Sequence, residues 1–219
     1  LKSGLVASIG GNDFAHASAG FVVTIRNCVI EDGVTVGYTE NENRIGSFAG
    51  AINGSIENCE SSAIVKGIDA VGGILGTRDN AMSQCEVKNS KFHGTVEGKT
   101  FVGGIVGSGY NVNNSAPNGA KITIQNCIVD GTVKGDTCIG GIWGGDPYVA
   151  QTWDNVISPV TANKFIGSIS GNKYVGAIIG YLNSLNRYDN IVGNTFRATD
   201  STKVGIGFVK YLDTSYENP

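Results

Sequence analysis

The sequence predicts an all-β chain: a right-handed parallel β-helix (β-solenoid) with irregular rungs and long loops on one edge. Three observations lead there. Glycine supplies 33 of 219 residues and proline only 4. One glycine-bearing hexapeptide recurs along the chain, and short alternating runs of β-branched residues lie between its copies.

Composition narrows the class first. Apolar residues make up 41% and charged residues 16%, with a net charge of −3. That is too apolar and too weakly charged for a disordered chain. It is also far from the basic balance of nucleic-acid or anionic-lipid binders, so no nucleic-acid partner is expected. No stretch nears the ~20 apolar residues of a membrane span, so no membrane insertion is expected in this segment. Leu1 is not an initiator Met, and no charged start leads into an apolar signal region. The chain therefore reads as an excised or mature piece of a larger parent with flanking domains. Glycine has no three-residue period, which excludes collagen, and Val and Ile between the glycines exclude a flexible linker. Helices are opposed because each interior glycine costs about 1 kcal/mol against alanine.

The hexapeptide is VGGILG at 71–76, VGGIVG at 102–107, IGGIWG at 139–144 and VGAIIG at 175–180. Weaker copies are IGSFAG at 45–50, VGIGFV at 204–209 and LVASIG at 5–10. Successive starts from 45 are spaced 26, 31, 37, 36 and 29 residues apart, so loops vary while a repeated core is held. Its Val and Ile are expected to point inward. Its glycines either turn the chain with positive φ or let neighbouring rungs approach closely.

A second signature, Asn or Gln followed by Cys or another apolar residue, accompanies the hexapeptides. The pairs are Asn27-Cys28, Asn58-Cys59, Gln84-Cys85, Asn126-Cys127, Asn155-Val156 and Asn190-Ile191. Asn suits a corner because it tolerates the left-handed region. Two readings stand for it: stacked amides that pass hydrogen bonds from rung to rung, or plain turn preference. Between signatures run alternating segments such as Lys121–Gln125 and Gly131–Gly135, the strand signal. Each repeat is thus expected to supply two or three strands. A unit that small buries an apolar face only by stacking on its neighbours, ~4.8 Å apart. One domain over 1–219 follows, with clear repeats over 20–209 and candidate caps at 1–19 and 205–219.

The GG-I-apolar-G core, with Asn-Cys and a Gly-rich strand before it, resembles the GLUG repeat. This chain departs from it by Ile in place of Leu, by Ala177 for the second glycine of one copy, and by decayed first and last copies. That family occurs in large secreted and surface-anchored bacterial proteins, including non-catalytic regions of some immunoglobulin-A peptidases. The resemblance implies architecture and a secreted or cell-surface bacterial location, and carries no active site.

Cys28, Cys59, Cys85 and Cys127 share a repeat position that Val156 and Ile191 take later, so the position reads as small apolar bulk. An interior stack of reduced thiols is expected rather than adjacent-rung disulfides, because in-register side chains run parallel without converging. Cys138 stands outside the position. No metal is expected, since CxxC is absent and His16 and His93 lie far apart and read as surface or loop histidines. Gly10-Gly11-Asn12-Asp13 is the one calcium-like stretch, without the nonapeptide repeat that would support it. No cofactor motif occurs, and threonines form no ranks of the ice-binding kind.

A polysaccharide lyase or glycoside hydrolase is the enzymatic alternative. It would need converging carboxylates, for which Asp130, Asp136 and Asp146 with Lys134 are the candidates. Asp in these contexts also reads as a turn former. Loop lengths point elsewhere: 20 residues separate Gly107 from Cys127, against 9 between Gly50 and Cys59. Insertions in solenoids cluster on one face. The long segments hold Tyr110, Asp146, Tyr148, Trp153 and Tyr181, an aromatic edge that either binds glycan or a host surface protein or packs over its own loops. Trp143, inside a hexapeptide, reads as core. The expected function is a non-enzymatic rigid stalk or adhesin. A phage-type fibre is a third reading.

Overall fold

The structure, a computed structural model, describes residues 5–9, 22–37, 42–78, 84–109, 121–146, 159–182, 191–197 and 208–209. These residues form 29 strands of two to five residues and no helix, in five sheets. The sheets are parallel and their strands stack in register, the architecture of a β-solenoid. The chain visits five walls in fixed order and then returns to the first. One turn runs Gln84–Lys88, Lys91–Phe92, Thr95–Glu97, Thr100–Gly103 and Val106–Ser108. Complete turns extend from Val23–Arg26 to Ile179–Leu182. Val6–Ile9 adds a strand to the fifth wall before them. Ile191–Val192, Thr195–Phe196 and Phe208–Val209 continue the first, second and fifth walls after them. Each turn thus carries five strands rather than two or three, because a strand as short as Lys91–Phe92 shows no alternation to read.

The four clear hexapeptides and the weaker copy IGSFAG are equivalent steps. Their first residues, Ile45, Val71, Val102, Ile139 and Val175, are direct register partners in the fourth wall. Their fifth residues, Ala49, Leu75, Val106, Trp143 and Ile179, are partners in the fifth. Each hexapeptide therefore turns the corner between these two walls. The decayed copies are displaced: Val6 pairs with Ala49 and Phe208 with Tyr181, off the expected alignment by three and two residues.

Close approach explains the hexapeptide glycines, and among the described residues none of them has positive φ. A Cβ on Gly103 would stand 1.9 Å from the Val106 carbonyl oxygen and 2.7 Å from the Gly144 nitrogen of the next turn. On Gly141 it would lie 2.6 Å from the Phe165 ring of the facing wall. Left-handed backbone is carried by two columns of other residues, which hold all ten positive-φ non-glycines described. One is Asn27, Asn58, Asn89, Asn126 and Ala162, continued by Gly193. The other is Arg44, Ala70, Phe101, Cys138 and Tyr174, each directly before a hexapeptide. In the second column the register passes from Asp69–Thr100 to Val71–Val102 and skips the residue between, so the strand kinks there.

One hydrophobic core runs from Ile25 to Leu182 and includes Trp143, as its hexapeptide place implies. The substitution Gly103→Ala is expected to lower unfolding free energy by about 3 kcal/mol or more, since backbone on both sides must move. Gly33→Ala, with no atom within 4 Å of the new Cβ but φ of +82°, should cost about 1 kcal/mol. Urea denaturation of the two variants checks this; equal midpoints would refute the close-approach account.

Candidate functional site at the coil corners

The corner between the first and second walls is always two residues long: a left-handed residue and then one that points into the coil. Two successive amides here face the next turn. The first finds a strand carbonyl, as Asn58 N donates to Lys88 O at 3.1 Å and Asn126 N to Thr161 O at 3.1 Å. The second finds a side chain: Cys59 N donates to Ser90 Oγ at 3.2 Å, Cys127 N to Asn163 Oδ1 at 2.9 Å, and Asn163 N to Asn194 Oδ1 at 2.9 Å. The inward column is therefore Cys28, Cys59, Ser90, Cys127, Asn163 and Asn194. Ser90 Oγ donates to Lys88 O of its own turn at 2.9 Å, whereas the cysteines and asparagines after Cys28 donate downward, to carbonyls of the preceding turn. Cys127 Sγ lies 3.5 Å from Val87 O, Asn163 Nδ2 2.9 Å from Ile124 O, and Asn194 Nδ2 2.6 Å from Val160 O. Each member must be donor and acceptor at once, which thiol, hydroxyl and amide all are.

This corrects the expected column in three places. Cys85 lies in the first wall, in register with Gly54 and Ile122, and the corner of that turn is Asn89-Ser90. Ile191 is likewise a first-wall residue, paired with Val160, and the later corners are Ala162-Asn163 and Gly193-Asn194. Asn155, Val156 and Asn190 lie outside the described residues. Asn27, Asn58 and Asn126 do occupy the left-handed corner, and one stacked amide bond joins Asn126 Nδ2 to Asn89 Oδ1 at 3.2 Å. All five cysteines are free. Burial pushes the Cys85 and Cys127 thiols up to about 12, and raises Cys59 and, to about 12, Cys138.

The corner between the fifth and first walls carries nearly all the length variation. The chain leaves the fifth wall at Ile52, Arg78, Ser108, Asp146 and Leu182 and enters the first at Gly54, Gln84, Lys121, Val160 and Ile191. Of the expected binding residues, Tyr110, Tyr148 and Trp153 lie outside the described residues. Asp146 ends its strand at this corner, half-buried. A Cβ on neighbouring Gly109 would be 3.0 Å from Asp146 Oδ2 and 2.7 Å from Trp143 Cζ2. Buried Arg78 donates from Nε to the Gly109 carbonyl, and Trp143 Nε1 is buried with no partner among the described residues. Tyr181 is only 9% exposed. Its ring lies 5.1 Å from Tyr174 and 6.3 Å, edge-on, from Phe101, while Lys173 Nζ sits 4.8 Å over Tyr174. Burial raises the Tyr181 hydroxyl, with Cys138 and Tyr174 adding to it.

The three candidate carboxylates fall on three different corners. Asp130, between the second and third walls, meets His93 Nδ1 at 2.5 Å, and His93 Nε2 meets Glu60 Oε1 at 3.3 Å. Asp136, between the third and fourth, accepts from Asn172 Nδ2 at 2.6 Å. Asp146 is at the fifth. Lys134 is in the third wall in register with Glu97 and Ser170. His93 is thus a half-buried surface histidine bridging turns; His16 lies outside the described residues, as does the stretch 10–13. Among the described residues, no group of three His, Cys, Asp or Glu could hold a metal. Sequence reading missed Arg78 and also Ser90, Asn163 and Asn194, although Phe92, Phe165 and Phe196 stand two residues after the last three and repeat as a signal.

Asn163→Val removes the acceptor for the Cys127 amide and the donor to Ile124, and should cost about 3 kcal/mol. Asn163→Ser should recover most of it, because Ser90 already serves in the column. Chemical denaturation of both decides; an equal loss would refute the donor–acceptor requirement. Compared with known proteins, the chain matches no family model, no curated protein and no solved structure, so the likeness to the GLUG repeat rests on its own residues.

Proposed function

We propose that this chain is a non-enzymatic module of a secreted or cell-surface bacterial protein, a rigid right-handed stalk or adhesin segment. The carrying observation is the unbroken stack. Hexapeptides step in register from Ile45 to Val175, and one core runs through every turn. Rung-to-rung hydrogen bonds run along the axis, so bending or stretching must break them. Parallel crossover connections nearly always turn right-handed, which supports the handedness. The likeness to the GLUG repeat supports the location.

A rigid spacer fixes distance. Spin labels on a ketone-bearing amino acid replacing Arg26 and Thr161, or Arg26 and Val192, sit four or five turns apart in one wall. Their separations should be about 19 and 24 Å with narrow distributions. Broad distributions would remove the stalk reading.

The adhesive surface in this proposal is the corner between the fifth and first walls, where Tyr110, Tyr148 and Trp153 are carried by the segments of variable length. The ligand is a glycan or a host surface protein. Replacing Tyr148 and Trp153 with Ala should abolish glycan-array binding at an unchanged melting temperature. Lower melting with binding retained would assign the rings to packing instead.

A further inference from the structure

Cys28 and Cys59 are, among the described residues, the one pair of cysteines on adjacent turns of a single column. Ser90 separates Cys59 from Cys127, and Cys85 and Cys138 belong to other walls. The residues that follow them, Val29 and Glu60, are register partners, which sets the two backbones side by side. A rung spacing of about 4.8 Å lies within the Cα separation that a disulfide bridges. The two side chains run parallel here, each Sγ 3.3 Å from the carbonyl two residues before it, Arg26 O and Glu57 O, so closing a bond between them takes a rotation of one thiol. Cys59 Sγ leans down into the turn that holds Cys28, 3.8 Å from Ile25 O. The lean belongs to the column, since Asn163 and Asn194 reach down in the same way. Cys28 is half-buried, directly before the edge strand Val29–Ile30 of the second wall, whereas Cys59 is buried.

We propose that Cys28 and Cys59 form a redox pair that closes to a disulfide by exchange with a small-molecule disulfide. The Cys28 thiolate attacks one sulfur of the oxidant, breaking its S–S bond and releasing the first thiol after protonation. Cys59, losing its proton, then attacks the Cys28 sulfur, forms the protein disulfide and expels the second thiol. Two electrons pass from the protein thiols to the oxidant, which leaves as two reduced molecules. Exposure sets the order, with Cys28 reached first and Cys59 resolving from behind it. The product ties the first turn to the second across 59 − 28 = 31 residues at the end of the stack. This chemistry goes beyond the stalk reading and does not depend on it.

The test treats the full chain with oxidised glutathione in mildly alkaline buffer, removes the reagent, denatures and alkylates, and reads intact mass. The wild-type chain should keep 5 − 2 = 3 alkylatable thiols and carry no glutathionyl group. Cys59→Ser should trap one glutathionyl group on Cys28, and Cys28→Ser should leave all 5 − 1 = 4 thiols alkylatable. Both variants keep a hydroxyl, the group Ser90 supplies at the same position. Five alkylatable thiols in the treated wild type, or loss of a thiol pair that persists in Cys28→Ser, would overturn the proposal.

Discussion

At the second residue of three clear hexapeptides, Gly72, Gly103 and Gly140, the chain meets its own backbone. A Cβ there would lie 2.0 Å from the carbonyl oxygen of Leu75 at Gly72, and 1.9 Å from those of Val106 at Gly103 and Trp143 at Gly140. No side chain fits at such distances. The sixth residue faces the turn below in the same manner: Gly107 over Val71 N, Gly144 over Val102 N and Gly180 over Ile139 N, at 2.5 to 2.7 Å from the would-be Cβ. The corner between fourth and fifth walls is therefore locked within a turn and between turns. Because both contacts are backbone on backbone, no choice of flexible neighbour relaxes them. The register of two walls follows, and the facing wall adapts to it. Gly73 and Gly141 face the rings of Phe92 and Phe165, whereas Ser47, with a side chain of its own, faces by the same step the small Ser61.

The opposite corner solves a different problem. A left-handed residue turns two successive amides to the same side, and the neighbouring strand offers only one carbonyl. Leaving the second amide buried and unpaired costs about 1–3 kcal/mol. The inward column removes that cost with groups that accept from below while donating to a carbonyl of the turn below or, at Ser90, of their own turn. Thiol and amide differ in size, yet both meet the requirement, which is why a column that begins with Cys28 and Cys59 ends with Asn163 and Asn194. Asn163 extends the linkage further, since its second donor hydrogen also reaches Asn194 Oδ1 at 3.0 Å. It is 1% exposed with every polar atom engaged, so burial of an amide here stabilises rather than strains the corner.

These two corners explain what could be read from letters alone. The hexapeptide was legible to the residue, because a steric rule that admits only glycine writes the same letter every time. The amide column was legible only where it happened to be spelled Asn-Cys. A rule about hydrogen-bond donors and acceptors admits Cys, Ser and Asn, so Asn89-Ser90 and Ala162-Asn163 share no spelling with Asn58-Cys59, while Gln84-Cys85 resembles that spelling and lies in a wall. The column before the hexapeptides left no trace at all. Arg44, Ala70, Phe101, Cys138 and Tyr174 share a backbone conformation imposed by the kink and no side-chain property. Carboxylates misled for a related reason: Asp130, Asp136 and Asp146 are near in sequence, but a short rung disperses neighbours in sequence onto different corners.

The same constraints decide where the molecule can vary. Insertion between the fourth and fifth walls would break the glycine lock, and insertion between the first and second would separate a left-handed residue from its column. The two-residue corners beside the third wall are closed by bonds between turns, as Gly98 N to Lys134 O at 3.0 Å and Ser168 N to Gly131 O at 3.0 Å. Two exceptions, the four residues between Ile30 and Thr35 and the eight between Val36 and Ile45, fall in the first complete turn, which has a neighbour on one side only in the second, third and fourth walls. What remains is the corner after the fifth wall, where the strand has already made its contacts on both faces: Leu75, Gly76, Thr77 and Arg78 are all buried. The segments that leave there after Ser108, Asp146 and Leu182 do so from successive turns, one rung apart. A change of length at this corner leaves the register on either side of it intact: Thr77 still pairs with Ala51 and Glu86 with Thr123 although the corners of their turns differ in length.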